Sequence, residues 1–149
     1  LFQAAGRLGA VIGGGSEAEK DALANYGMHL GTAFQLLDDV LDYSGDFLKT
    51  GKNIGDDLAE GKPTLPLLYA MKHGTAEQAA SIRHAIEHGG LTEFQSVLAA
   101  IKDTRALHYT REAAQREVRL ANSAISCLAD SNSKSALLQL AAFAVDRSF

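Results

Sequence analysis

Apolar residues recur at three- and four-residue steps from the first position, where Leu1, Ala4, Ala5, Leu8, Val11 and Ile12 form one helical face. Gly13-Gly14-Gly15 ends this pattern, because a run of glycine is costly inside a helix. Ser16 followed by Glu19 has the form of a capping box and opens a second, long helix that the spacing carries to about Ser44. From Gly45 to Lys62 the periodicity lapses for 18 residues holding four glycines, a length that compact domains keep mainly for functional loops. Pro63 and Pro66 suit the first turn of a helix to about His73. Another is predicted from Ala76 to Glu87, before Gly89-Gly90 interrupts the chain. Thr92 with Gln95 offers a further capping box, and the spacing predicts helices over 93–103, 106–128 and 134–147, the last capped by Ser131 or Ser133. Strand-type alternation and fixed repeats are absent. The pattern predicts an all-α chain of seven helices and one long loop.

Composition adds boundaries. A length of 149 residues favours one domain over residues 1–149. With 46% apolar and 21% charged residues the chain has the means to build a core and is not a disordered tail. A single cysteine, Cys127, excludes an internal disulfide, points to a reducing compartment and reads as a small core residue. A net charge of -4 argues against nucleic-acid binding, which needs a basic face. No run approaches the ~20 apolar residues of a membrane span, and no basic leader precedes an apolar run. The expectation is a soluble cytoplasmic protein with at most peripheral membrane contact. Because helical spacing already runs at Leu1 with no capping residue ahead, the chain is expected to be part of a longer protein cut within a helix.

The informative segment runs from Phe34 to Tyr43. Advancing about 100° per residue from Asp38, Asp42 falls at about 40°, Gln35 at about 60° and Asp39 at about 100°. Leu23, Tyr26, Leu30, Phe34, Leu37 and Leu41 share an opposed stripe at roughly 240–320°. The acidic stripe is unfavourable twice over, since like charges at three- and four-residue spacing repel and acids near a helix C-terminus oppose its dipole. Each effect is only ~0.3–1 kcal/mol, so a solvated acidic face could bear it. A divalent cation would reverse the sign. Mg²⁺ takes hard oxygen ligands, keeps several waters and is usually shared with a substrate phosphate.

The stretch that follows carries Lys52 and Lys62 among glycines. Lysine is a point charge suited to phosphate oxygens, and glycine permits close backbone approach. Two lysines in a polar loop would otherwise be merely solvated. Acids on a helix followed directly by a Gly/Lys loop favour metal-diphosphate chemistry. The alternating oxygen ligands of an EF-hand and the Gly-x-x-x-x-Gly-Lys-Ser/Thr of a P-loop are both missing.

Phe34-Gln35 followed by Asp38-Asp39-x-x-Asp42 resembles the second aspartate-rich motif of the trans-polyprenyl diphosphate synthases. Gly51-Lys52-Asn53-Ile54-Gly55-Asp56-Asp57-Leu58 and Glu60-Gly61-Lys62-Pro63-Thr64-Leu65-Pro66-Leu67-Leu68 resemble the medium- and long-chain branch of that family. The likeness extends more loosely to Tyr109-Thr110-Arg111 and Ala144-Val145-Asp146-Arg147, and covers only the C-terminal half of such an enzyme. It implies the C-terminal portion of a helical prenyltransferase bundle, usually a homodimer, that condenses isopentenyl diphosphate with an allylic diphosphate using Mg²⁺. It also implies a metal site of Asp38, Asp39 and Asp42, with Asp38 the direct ligand. Lys52 and Lys62 would hold the allylic diphosphate, and Gln35 would line the cavity. Asp38, Lys52 and Lys62 thereby become the catalytic expectation. An octaprenyl product for quinone biosynthesis rests on overall likeness alone. The family's first aspartate-rich motif, its main isopentenyl-diphosphate contacts and its gauge of product length precede Leu1, so this chain alone is expected to lack turnover without the N-terminal half. Two other readings compete with the enzyme: a non-catalytic helical partner subunit of a prenyl synthase, and an unrelated Mg²⁺- or Ca²⁺-binding module.

Of five histidines, His84 and His88 lie four apart and could share a helix face as zinc ligands do, but no third ligand follows at convincing spacing, and a solvated surface is expected. Asp56 and Asp57 either orient the loop, assist metal hydration or are solvated. Arg147 could reach the diphosphate region from the C-terminus, but is read as a surface residue.

Overall fold

A computed structural model describes residues 1–44, 55–89 and 93–146. Among them lie eight helices and no strand: α1 (Phe2–Ile12), α2 (Glu17–Tyr43), α3 (Asp56–Ala59), α4 (Leu65–His73), α5 (Ala76–His88), α6 (Phe94–Asp103), α7 (Ala106–Ala124) and α8 (Asn132–Val145). No helix among the described residues is long and apolar enough to cross a membrane. Among the described residues the contacts group into two compact units, one of residues 1–35 with 113–146 and one of residues 36–112.

In the first unit α1 lies against the front of α2 by direct backbone approach. A Cβ at Gly27 would collide with the Phe2 backbone, and one at Gly6 with the backbone of Leu23, so the glycines are what let the two helices meet this closely. Phe2 then reaches Phe34 with ring centroids 5.7 Å apart. The expected Ser16–Glu19 box is present, with Glu19 Oε2 accepting from the Ser16 backbone N–H at 2.8 Å. Burial here falls mostly on alanine: Ala22, Ala24, Ala33, Ala114, Ala121, Ala141 and Ala144, with Tyr26, Leu30, Val118 and Ile125. The Tyr26 hydroxyl donates to the Leu137 carbonyl of α8 at 2.7 Å, and His29 Nδ1 meets Glu117 Oε2 at 2.7 Å. Ser131 caps α8, its oxygen accepting from the Lys134 N–H at 3.1 Å.

The second unit has a conventional core of Leu58, Leu67, Ile82, Val97 and Ile101, completed by Tyr43 and by alanines of α4 to α7. Helices α4, α5 and α6 pack on one another, and α3 packs on α5. Thr75 and Gln78 form a reciprocal capping box at the start of α5, and Gln78 Nε2 donates to Asp103 Oδ2 at 2.9 Å. Tyr69 of α4 stacks between His73 and Tyr109, at centroid distances of 4.3 and 4.1 Å.

Several expectations need correction. The stretch of 45–62 is not wholly loop, because Asp56–Ala59 forms a short helix. The helix expected over 106–128 stops at Ala124, where the chain tightens into turns, and α8 starts at Asn132. Cys127 is not a core residue: it lies exposed in the turns after α7. Its neighbours Ile125 and Leu128 supply the burial instead. His84 and His88 are exposed as expected and stack on each other at 4.2 Å. Residues 45–54 with Lys52, Thr92 with its capping box, and Arg147 lie outside the described residues.

Candidate diphosphate and metal site

The acidic end of α2 is drawn into the protein rather than laid on its surface. Asp38 is half-buried, whereas Asp39 and Asp42 are each only 6% exposed. Gln35, one turn earlier, is exposed. A freely solvated acidic face therefore does not describe Asp39 and Asp42. Burial first, and then the negative charge of Asp57, push the Asp42 carboxyl up to about 6.

Asp42 fixes the start of α3 twice. Its backbone carbonyl accepts from the Gly55 N–H at 3.1 Å, and its side-chain Oδ2 accepts from the Asp57 N–H at 3.3 Å. Gly55 has φ 85°, and a Cβ there would also strike the Phe94 ring, so the tight entry into α3 needs glycine. From α3 the chain turns back through Gly61 to Lys62, whose own N–H donates to the Asp57 carbonyl at 2.9 Å. The Lys62 ammonium sits 2.9 Å from Asp57 Oδ1 and 2.6 Å from Glu60 Oε2. Those carboxylates, Glu60 before Asp57, push the lysine's pKa above its usual range. Behind this corner the buried Tyr43 hydroxyl accepts from Thr64 Oγ1 at 3.5 Å, and burial raises its pKa. Arg111 Nη2 reaches Ser44 Oγ at 3.5 Å.

Of the residues singled out in the sequence, the structure thus joins Asp42 to Lys62 through Asp57, and keeps Asp38 and Asp39 one turn or less before Asp42 on α2. Among the described residues no group of three His, Cys, Asp or Glu side chains is placed to enclose a metal ion. What α2 offers is a partial set of hard oxygen donors. Such a set suits an ion that keeps waters and completes its shell with phosphate oxygens. Sequence reasoning passed over Glu60. The signal was available, since Asp57 and Glu60 stand three apart and share a face once α3 is recognised as a helix.

The polyprenyl synthetase family model matches residues 1–103, and the chain belongs to that family. In particular it is similar to the octaprenyl diphosphate synthase of Haemophilus influenzae, with 53% identity over 100% of this chain and 46% of that protein. Its structure resembles a Caulobacter crescentus polyprenyl synthase complexed with calcium and isoprenyl diphosphate, at a TM-score of 0.87, 39% identity and coverage of 98% of this chain and 45% of the other. It also resembles a Corynebacterium glutamicum geranylgeranyl pyrophosphate synthase complexed with isoprenyl diphosphate and magnesium, at a TM-score of 0.81 and 32% identity over 94% of this chain and 41% of the other. The chain spans about half the length of the curated relatives it matches.

Proposed function

We propose that this chain provides the second aspartate-rich side of a trans-polyprenyl diphosphate synthase site, which condenses isopentenyl diphosphate with an allylic diphosphate. The observation that carries the reading is the connection from the Asp42 carboxylate through Asp57 to the Lys62 ammonium, which puts anionic and cationic groups on one short segment. The relatives crystallised with isoprenyl diphosphate and a divalent cation support it.

In this reading Asp38, Asp39 and Asp42 belong to the Mg²⁺ site, with Asp38 the direct ligand, and the ion when bound would offset charge on the diphosphate. Lys62, together with Lys52, takes the diphosphate oxygens, and Gln35 lines the approach. The allylic carbon–oxygen bond breaks with its electron pair leaving on the diphosphate, so the lysines stabilise charge that grows as the bond lengthens. The double bond of isopentenyl diphosphate attacks the allylic cation, and loss of a proton restores an alkene. An octaprenyl product serving quinone biosynthesis is the preferred outcome, on the likeness to octaprenyl synthases. Holding two reactants in place can supply ~7–11 kcal/mol of a barrier, and a single aspartate-rich side cannot do so, so the 149-residue chain is expected to elongate nothing unaided.

Calorimetry with Mg²⁺ and inorganic diphosphate tests the assignment. Mg²⁺ is expected to bind weakly alone and more tightly with diphosphate, and Asp38→Ala to cost about tenfold in that coupled affinity, or ~1.4 kcal/mol. Unchanged coupled binding in Asp38→Ala removes the proposed site. Incubation with radiolabelled isopentenyl diphosphate and farnesyl diphosphate checks the second expectation, which extended product from the chain alone would defeat.

A further inference from the structure

Lys62 is engaged by two carboxylates that differ in how firmly they are held. Asp57 is short, its side chain is 17% exposed, and its backbone is tied at both ends: the N–H to Asp42 Oδ2 and the carbonyl to the Lys62 N–H. Glu60 is longer, its side chain is 63% exposed, and it sits at the C-terminal cap of α3. One ammonium between two carboxylates presents a net negative charge to an approaching anion. The ammonium has a third N–H donor and its side chain is 54% exposed, but a diphosphate gains the full charge of Lys62 only as one carboxylate withdraws, and the exposed, rotamer-rich Glu60 is the one able to swing into water.

We propose that Asp57 and Glu60 act on Lys62 in opposite senses, Asp57 as the positioning residue that aims the ammonium and Glu60 as a displaceable competitor that the substrate diphosphate must expel. The inference rests on the reading of Lys62 as a diphosphate ligand. Asp57 keeps Lys62 on the segment anchored to Asp42, so metal-bound and lysine-bound oxygens can belong to the same diphosphate. Glu60 takes a second of the lysine's three N–H donors and offsets its charge when no substrate is present, which disfavours other anions that cannot also recruit a metal.

The matched pair Asp57→Ala and Glu60→Ala separates these roles, because each removes one negative charge beside Lys62. Long-range electrostatics alone would tighten diphosphate binding in both. Positioning and competition predict opposite signs. With Mg²⁺ and inorganic diphosphate as the probe, calorimetry on the 149-residue chain is expected to show Asp57→Ala weakened about three- to tenfold and Glu60→Ala tightened about two- to fivefold. Circular dichroism accompanies each variant, and if Asp57→Ala does not fold, Asp57→Asn takes its place with a smaller weakening expected. Shifts of the same sign in both variants, or none in either, overturn the inference alone, provided that Lys62→Ala weakens binding. Parent-like binding by Lys62→Ala, or no binding by the unmodified chain, overturns the diphosphate reading and the inference together.

Discussion

The two compact units solve the problem of burial differently. Among the described residues ten large apolar side chains are exposed, and nine of them, including Leu8, Val11, Ile12, Leu140 and Phe143, belong to the unit of α1, the front of α2, the later part of α7 and α8; only Leu68 belongs to the other. The first unit gains its order from alanine and glycine, which let helices approach but bury little area per residue. The second closes over leucine, isoleucine and valine. Stabilisation near 25 cal/mol per Å² of apolar surface therefore concentrates in the second unit, where the Asp42–Asp57–Lys62 corner is anchored. This corner of paired charges sits on the part with the denser apolar core. The first unit instead leaves apolar side chains exposed on α1, α2, α7 and α8, an exposure expected to promote self-association of the chain in dilute buffer.

The sharpest way to break this contrast is to hollow the closed core. Leu67→Ala removes a fully buried side chain of α4 and should cost ~2–5 kcal/mol, read as a lower urea midpoint. A comparable loss from truncating exposed Leu140 would contradict the division. A smaller effect is expected in the first unit from Gly27→Ala. There the new methyl must push the Phe2 backbone away, at ~1–3 kcal/mol, against a helix-propensity gain of ~1 kcal/mol. Thermal denaturation decides it, and a variant more stable than the parent would mean that α1 moves aside freely. Smallest of all, Tyr26→Phe should cost ~0.5–1.5 kcal/mol by removing the bond to the Leu137 carbonyl. Burial raises the Tyr26 pKa, so the folded state keeps its proton where the unfolded chain has lost it. Its contribution is complete below the ordinary tyrosine value of about 10 and fades as pH climbs through the raised value. The phenylalanine variant should lose that part of the alkaline decline. An identical alkaline profile would show that the hydroxyl does not titrate with folding.

Helix positions were legible because the signals are local. Glycine runs, the Ser16 box and the prolines around the start of α4 place boundaries that match within a few residues. The end of α7 was not legible, since apolar periodicity continues to Leu128 while the backbone has already tightened into turns. Cys127 misled for the same reason, as an apolar neighbourhood in sequence does not fix which side faces inward. At the site, residue types and spacing pointed to Asp38, Asp39, Asp42 and Lys62. Their connection was hidden. Whether Asp57 is solvated or bridges Asp42 to Lys62 depends on how the chain returns through Gly55 and Gly61, a long-range consequence of packing α3 on α5. The burial of Asp39 and Asp42 was equally invisible, because helical spacing ranks faces relative to one another without saying what covers them.

The stacking of Tyr69 between His73 and Tyr109 gives the protein an optical signature. With no tryptophan and four tyrosines, its absorption at the long-wavelength end of the near ultraviolet, beyond the phenylalanine bands, comes from tyrosine. Three of the four, Tyr43, Tyr69 and Tyr109, lie in the closed unit, and two of these face each other at 4.1 Å, close enough for their transitions to couple. Near-ultraviolet dichroism, which vanishes when fixed side-chain packing is lost, would follow chiefly that unit. Far-ultraviolet dichroism would register the helices of both. A gap between the two melting curves would thus report, without any label, the order in which the two halves of this chain let go.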